Sequence, residues 1–315
     1  MPIVSQVLAH GRRELAKVIV GQGELIDQCL LTLLCGGHAL LEGVPGIAKT
    51  LVVKCFGRLF QLKFRRVQCT SDLMPADIIG SNVLNLSTST FSLHEGPLFT
   101  DMLLADEINR MPPRTQAALL EAMEERQITI DGATHPLSEF FTVFATQNPI
   151  EFEGTYPLPE AQLDRFLLKI KVDYPEQEQE VAILENHHRG FDAHNLDDAN
   201  LAAAPPTWLA DARKEVRTTR VETALFRYIT EIVRRTRDWP ALSMGASPRA
   251  AINLLAVAKA VAALEDRDYL IPDDVKSATL PVLRHRVIMK PEAELEGLNS
   301  DLVLKEIIGT IEVPK

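Results

Sequence analysis

"LEGVPGIAKT", residues 41–50, is the stretch on which the reading of this chain turns. It follows a short apolar run, "HALLE" (38–42), and opens onto "KTLVVKCFGRLF", which has helical character. A turn between a strand and a helix aims several backbone N–H groups at one point, and the helix dipole adds favourable partial charge for an anion there. In such a loop Lys49 reaches the β- and γ-phosphates of a nucleotide, and the Thr50 hydroxyl is a ligand for Mg²⁺. Gly43 and Gly46 supply backbone freedom and room for close approach. Ala48 stands where a glycine usually precedes the lysine, and alanine fits if its φ is negative, as in a residue entering the helix. Taken alone, the stretch could also be a turn with a solvated lysine.

A second stretch, "MLLADE" (102–107), is an apolar run ending in two carboxylates. At the carboxyl end of a strand beside a phosphate loop, Asp106 is placed to hold the magnesium shell. Glu107 is then placed to orient or deprotonate the attacking water, since metal and lysine stabilise charge without positioning the nucleophile. By itself the pair could simply end a strand and cap the next helix. Together with the loop it points to hydrolysis of ATP or GTP.

The bulk properties bound this reading. The chain has 315 residues, 46% hydrophobic and 24% charged, a length that favours two domains over one core. A formal net charge of −10 repels a phosphate backbone and counts against nucleic acid as partner. Cys29, Cys35, Cys55 and Cys69 show no paired metal-ligand spacing and read as buried free thiols. The first residues lack a basic start followed by an apolar stretch, and the tract "AINLLAVAKAVAAL" is broken by Asn253 and Lys259. The expectation is a soluble, cytoplasmic protein with no membrane span.

Five apolar runs, "HALLE" (38–42), "KFRRV" (63–67), "MLLA" (102–105), "FTVFA" (141–145) and "FLLKIKV" (166–172), alternate with helical patterns. That alternation predicts an α/β layer with parallel strands and crossover helices. Alternating residues around "STST" within 82–99, and around Asp131-Gly132 within 127–137, predict two added hairpins. Near 186–206 the sequence becomes turn-rich and acidic, and the remainder of the chain is helical only, with Val221, Leu225, Tyr228, Ile229 and Ile232 on one face. The expected division is a nucleotide-binding core over 1–185, a linker over 186–206 and a helical domain over 207–315.

These residues resemble AAA+ ATPases, and most closely the MoxR family. The resemblance is carried by "VGQ" (20–22), "GVPGIAKT" (43–50), "LMPADIIG" (73–80), "EGPLF" (95–99), "LLADEINRMPPRTQAALLEAMEE" (103–125), "FATQNPIEFEGTYPLPEAQLDRF" (144–166) and "GASPRA" (245–250). It spans nearly the whole chain in order, and the Ala-Lys-Thr ending of the loop is usual in that family. It implies a P-loop parallel-sheet core with hairpin inserts and a C-terminal all-helical lid.

Carried over position by position, the resemblance implies ATP contacts from Val20, Gly21, Gly43, Pro45, Gly46, Ile47, Ala48, Lys49, Thr50 and Leu51, with Mg²⁺ on Thr50 and Asp106. Asn148 looks like the sensor of the attacking water or γ-phosphate, and Arg165 like an arginine finger given to the neighbouring subunit. An intrachain ion pair is the alternative for Arg165. Arg249, after Ser247-Pro248 on the first turn of a lid helix, looks like the second sensor, reaching the γ-phosphate. His187-His188 reads as a solvated helix end. The implied activity is Mg²⁺-dependent ATP hydrolysis between core and lid, in a homo-oligomer read as a hexameric ring. The implied role is chaperone-like remodelling, maturation or activation of a client protein, with von Willebrand factor A domain partners and metal-cofactor insertion among the family's themes. A magnesium-chelatase-like motor subunit and a nucleic-acid remodelling motor are the alternatives.

Overall fold

The computed structural model describes residues 2–87, 89–149, 154–192, 196 and 199–314. Two helices open the chain, α1 (Ile3–Leu15) and α2 (Gly23–Cys35), before β1 (Ala39–Glu42) runs through the loop into α3 (Lys49–Leu59). Next come β2 (Phe64–Gln68), α4 (Pro75–Ile79), a hairpin of β3 (Gly80–Asn85) and β4 (Thr90–Glu95), and β5 (Met102–Asp106). A single 3₁₀ turn at Ile108–Arg110 leads to α5 (Pro113–Glu125), a second hairpin of β6 (Gln127–Ile130) and β7 (Ala133–Pro136), and β8 (Thr142–Gln147). The core closes with α6 (Glu160–Leu163), β9 (Leu168–Lys171) and α7 (Gln177–His188).

All five apolar runs are strands of one parallel sheet, in the order β2-β5-β8-β1-β9. The period-two geometry of a strand sends neighbouring residues to opposite faces. Leu41, Leu104 and Phe144 therefore join one hydrophobic cluster, while Leu40, Leu103, Val143 and Ala145 join the other. Both faces of the central strands are buried, which is why they read as unbroken apolar runs. The edge strands β2 and β9 carry the sheet's basic residues, Arg65, Arg66, Lys169 and Lys171.

The remaining elements are helical apart from one small ribbon: α8 (Trp208–Thr218), α9 (Thr223–Arg237), β10 (Leu242–Met244), α10 (Pro248–Leu264), α11 (Pro272–Leu283), β11 (Ile288–Met289), α12 (Pro291–Leu295) and α13 (Ser300–Thr310). Leu225, Tyr228, Ile229 and Ile232 form the buried face of α9, whereas Val221 precedes the helix. Ser247 caps α10, accepting from the Ala250 N–H, with Pro248 in the first turn. These helices do not build a separate core. α8 and α10 pack on α1 and α2, and one hydrophobic cluster runs from Leu41 and Leu104 of the sheet to Leu254 and Val303. Among the described residues no helix is long and apolar enough to cross a membrane.

Candidate functional site

The strand order explains where chemistry can collect. β8 lies between β1 and β5, so three strands end side by side: β1 in the loop, β5 in Asp106-Glu107 and β8 in Thr146-Gln147-Asn148. Ligands in open α/β sheets bind beyond the carboxyl ends of the strands. A cavity of about 800 Å³ opens there, lined by Pro45 to Leu51, Asp106, Glu107 and Asn148. Its volume suits a nucleotide-sized ligand.

Gly43, expected to contact the nucleotide, is not among the lining residues; a Cβ there would come within 2.5 Å of the Val172 carbonyl oxygen, so the close approach admits only glycine. Gly46 has φ +85°, a conformation that glycine adopts without steric penalty. Ala48 departs from expectation. Its φ is +65° and ψ 9°, so it caps α3 in the left-handed region instead of entering the helix with negative φ. The last residue before α3 therefore takes the left-handed turn although it is not glycine.

Lys49 donates through Nζ to the carbonyl oxygens of Gly43 and, at 2.9 Å, of Val44. Burial pulls its pKa below the ordinary lysine value, and the carboxylates of Asp106 and Glu107 partly offset this. Those carboxylates are held by their neighbours. The Thr146 hydroxyl donates to Asp106 Oδ1 at 2.6 Å and accepts from the Glu107 N–H at 2.8 Å. Arg66 donates to Asp106 Oδ2 at 2.6 Å and to Gln68 Oε1 at 2.8 Å. Gln68 donates in turn to Glu107 Oε2 at 3.3 Å, and Arg110 pairs with the same oxygen at 3.0 Å. Glu107 itself has φ +59°, a left-handed residue at which β5 gives way to the 3₁₀ turn.

Asn148 is buried at the end of β8 and lines the cavity. Val20 lines it as well. Gly21 makes room for α7, since a Cβ there would collide with Gln179 Oε1, and Gln22 donates to the Asp173 carbonyl. The wall opposite the loop is α7 with the residues after it: Ile183, Leu184, Asn186, His187 and Phe191. Among the described residues none that lines the cavity comes after Asp192, while α8 and α10 pack on α1 and α2; the site expected between core and helical lid is lined here by the core and α7. His187, read from sequence as a solvated helix end, is exposed and nevertheless lines the cavity.

Arg165 and Arg249 are not brought to this cavity. Both bind one carboxylate, Glu124 at the end of α5, with Arg165 Nε at 3.0 Å from Oε2 and Arg249 Nη1 at 2.8 Å from Oε1. Burial pushes the Glu124 carboxyl up, but the Arg249 and Arg165 guanidiniums outweigh it and hold the pKa below the ordinary value. Within one chain Arg165 thus forms an intrachain ion pair. Thr146, Gln68, Arg66 and Glu124 were missed in the sequence. Thr146 and Gln68 carry a usable signal, a polar residue at the carboxyl end of a strand; Arg66 and Glu124 carry none.

The likenesses to known proteins agree with this geometry. Residues 38–168 match the family described as "ATPase family associated with various cellular activities (AAA)", and residues 234–307 match an AAA lid domain. The chain is 41% identical to the uncharacterized protein YeaC of Bacillus subtilis, over 99% of this chain and 95% of that one. It is 40% identical to chaperone MoxR1 of Mycobacterium tuberculosis, over 96% and 81% of the two chains. Identity to protein MoxR of Paracoccus denitrificans is 30%, over 94% and 93%. A Cytophaga hutchinsonii protein provisionally described as an ATPase has a crystal structure that superposes with a TM-score of 0.90 at 39% identity, covering 99% and 96%. These agreements extend over core and lid alike, and the chain belongs to the MoxR family of AAA+ ATPases.

Proposed function

We propose that this protein hydrolyses ATP with Mg²⁺ in a homo-oligomeric ring, read as a hexamer, and uses the movement to remodel, mature or activate a client protein complex. One observation carries the reading: Lys49-Thr50, Asp106-Glu107 and Asn148 line a single cavity. The donor set suits magnesium, since a hydroxyl and a carboxylate are hard oxygen ligands. Thr50 and Asp106 would hold the ion, with Asp106 oriented by Thr146 and Arg66. Bound Mg²⁺ supplies neutralisation of charge on the phosphate oxygens.

The chain's own groups do the rest. Lys49 and the loop amides receive the β- and γ-phosphates. Glu107, fixed by Gln68 and Arg110, takes the proton of the attacking water, and Asn148 hydrogen-bonds that water or the γ-phosphate. The apolar wall of Ile183, Leu184 and Val20 receives the base. Arg165 completes the neighbouring subunit's site, where a permanent guanidinium charge stabilises the transferring phosphoryl group. Arg249 retains its proposed sensor role, which requires it to leave Glu124.

A protein client is favoured over nucleic acid by the β3–β4 hairpin. It exposes Val83, Leu84 and Phe91, with Leu86 at its turn 85% exposed, and its sequence contains no lysine or arginine. A partner with a von Willebrand factor A domain and metal-cofactor insertion rest on the family resemblance, and a cytoplasmic location on the four free cysteines, which suit a reducing compartment.

The test is a pair of variants. Arg165→Ala is expected to lower kcat by about 10³-fold or more while ATP binding stays within about twofold. Mixed under subunit exchange with Glu107→Gln, itself at least about 10²-fold slow, it should recover activity. No recovery would remove the shared site, and a Glu107→Gln rate equal to the parent's would remove the proton acceptor. Tight duplex-DNA binding that weakens steeply with salt would displace the protein client.

A further inference from the structure

We infer that Arg286 is the residue through which the lid positions Arg165 in the neighbouring subunit's site, an inference that rests on the role proposed above for Arg165. The segment Arg284-His285-Arg286 comes directly after α11 and lies against the chain on both sides of Arg165. Arg286 Nε donates to Asp164 Oδ1 at 2.6 Å. Its Nη2 donates to the carbonyl oxygens of Asp164 at 3.1 Å and Phe166 at 2.5 Å. Its Nη1 donates to the carbonyl oxygens of Leu167, at 3.2 Å, and Val282. His285 Nε2 adds a bond of 2.9 Å to the Phe166 carbonyl, and Arg284 reaches the Lys169 carbonyl at 3.2 Å.

Every N–H of the Arg286 guanidinium is thereby used on a side chain that is 1% exposed. On the N-terminal side of Arg165 the chain is weakly held, since α6, which ends one residue before Asp164, is four residues long and buries none of them; on the other side Phe166 and Leu167 are buried in the core. The carbonyls flanking Arg165 are fixed by the lid, and its guanidinium is directed to Glu124, where Arg249 of the lid arrives as well. The backbone on both sides of Arg165 is thus tied to the lid through Arg286, so the lid takes part in setting where Arg165 is presented. Lysine has three donors in place of five and cannot hold both flanking carbonyls and the Asp164 carboxylate in this fork geometry.

The experiment uses the full-length protein and subunit mixing. Arg286→Gln is expected to bind ATP within about twofold of the parent, because it touches nothing in its own cavity, and to lose at least about tenfold in kcat. Arg286→Lys should recover only part of that loss. Mixed with Lys49→Ala subunits, which lack a working phosphate loop but present Arg165 normally, Arg286→Gln should regain activity. The mixture of Arg165→Ala with Lys49→Ala is run beside it. If that reference is not restored, the trans role of Arg165 falls and this inference with it. If the reference is restored and Arg286→Gln is not, the inference alone is overturned, as it is by an unchanged kcat. Should Arg286→Gln fail to fold, Asp164→Asn keeps the carbonyl bonds and is put through the same mixture. A loss of about threefold or more, restored by Lys49→Ala subunits, is expected, and no loss overturns the proposal.

Discussion

Ala48 shows how a single residue can satisfy a site and strain it at once. A left-handed alanine costs on the order of 1 kcal/mol relative to glycine in the same conformation, an amount the surrounding loop must offset. Ala48→Gly is therefore expected to preserve ATP affinity and to change stability by less than about 1 kcal/mol, relief of strain being partly cancelled by a more flexible unfolded chain. Ala48→Val places a β-branched residue at φ +65° and should lower ATP affinity about tenfold or more. Equilibrium nucleotide binding and thermal unfolding of both variants check this. An Ala48→Val protein that bound ATP normally would show that the left-handed turn is not needed. Lys49, Thr50, Asp106 and Glu107 could be read from sequence because phosphate chemistry demands those residue types at strand ends. Thr146 and Gln68 show in sequence only as polar residues at strand ends, and Arg66 not at all; which groups the three hold depends on pairing between strands far apart in sequence, which local spacing does not record.

Among elements, α7 is the one that pattern reading explains least. It has no buried residue, and Val181, Ile183 and Leu184 are all exposed, so no amphipathic stripe announces what it covers. It is placed at its N-terminal end: Gln22 reaches Asp173, Gln179 lies against Gly21, and the Glu176 N–H donates to Gln179 Oε1 at 3.2 Å. Exposed apolar groups lining a cavity suggest a face that a ligand covers. Leu184→Ser is expected to weaken ATP binding about fivefold, since partial burial of a leucine is worth about 1 kcal/mol. Unfolding free energy should stay within about 0.5 kcal/mol, as for an exposed position. Calorimetric titration together with denaturant unfolding separates the two, and unchanged affinity would place the base elsewhere.

At the scale of the whole molecule, the residues around Ala202 and Ala204, before α8, are strapped to the core. Glu14 of α1 accepts from the Ala202 N–H at 2.8 Å, His10 donates to the Ala202 carbonyl at 2.8 Å, and Ala204 is bonded to Leu59 and Gln61. Lys17 and then the Ala202 N–H pull the Glu14 pKa down to about 2. A carboxylate depressed in the folded state stabilises above its unfolded pKa of about 4.3, and the contribution disappears as pH falls toward the folded value. Glu14→Gln should cost about 1–3 kcal/mol at pH 7. Its stability should also fall less steeply than the parent's between about pH 5 and 2, as read by urea unfolding across that range. Parallel curves for the two proteins would show that Glu14 is not a source of the acid sensitivity.

The linear order of residues determined the sheet, the two hairpins, the phosphate loop and its carboxylates, because two-sided burial and phosphate binding impose strong local patterns. Tertiary structure alone decided which wall faces the loop and where Arg165 and Arg249 rest. Those outcomes depend on α8 and α10 docking on α1 and α2 and on two arginines meeting at Glu124. Side chains 41 and 125 positions apart in sequence are brought into contact there, and so kept away from the loop, by packing that no local periodicity encodes.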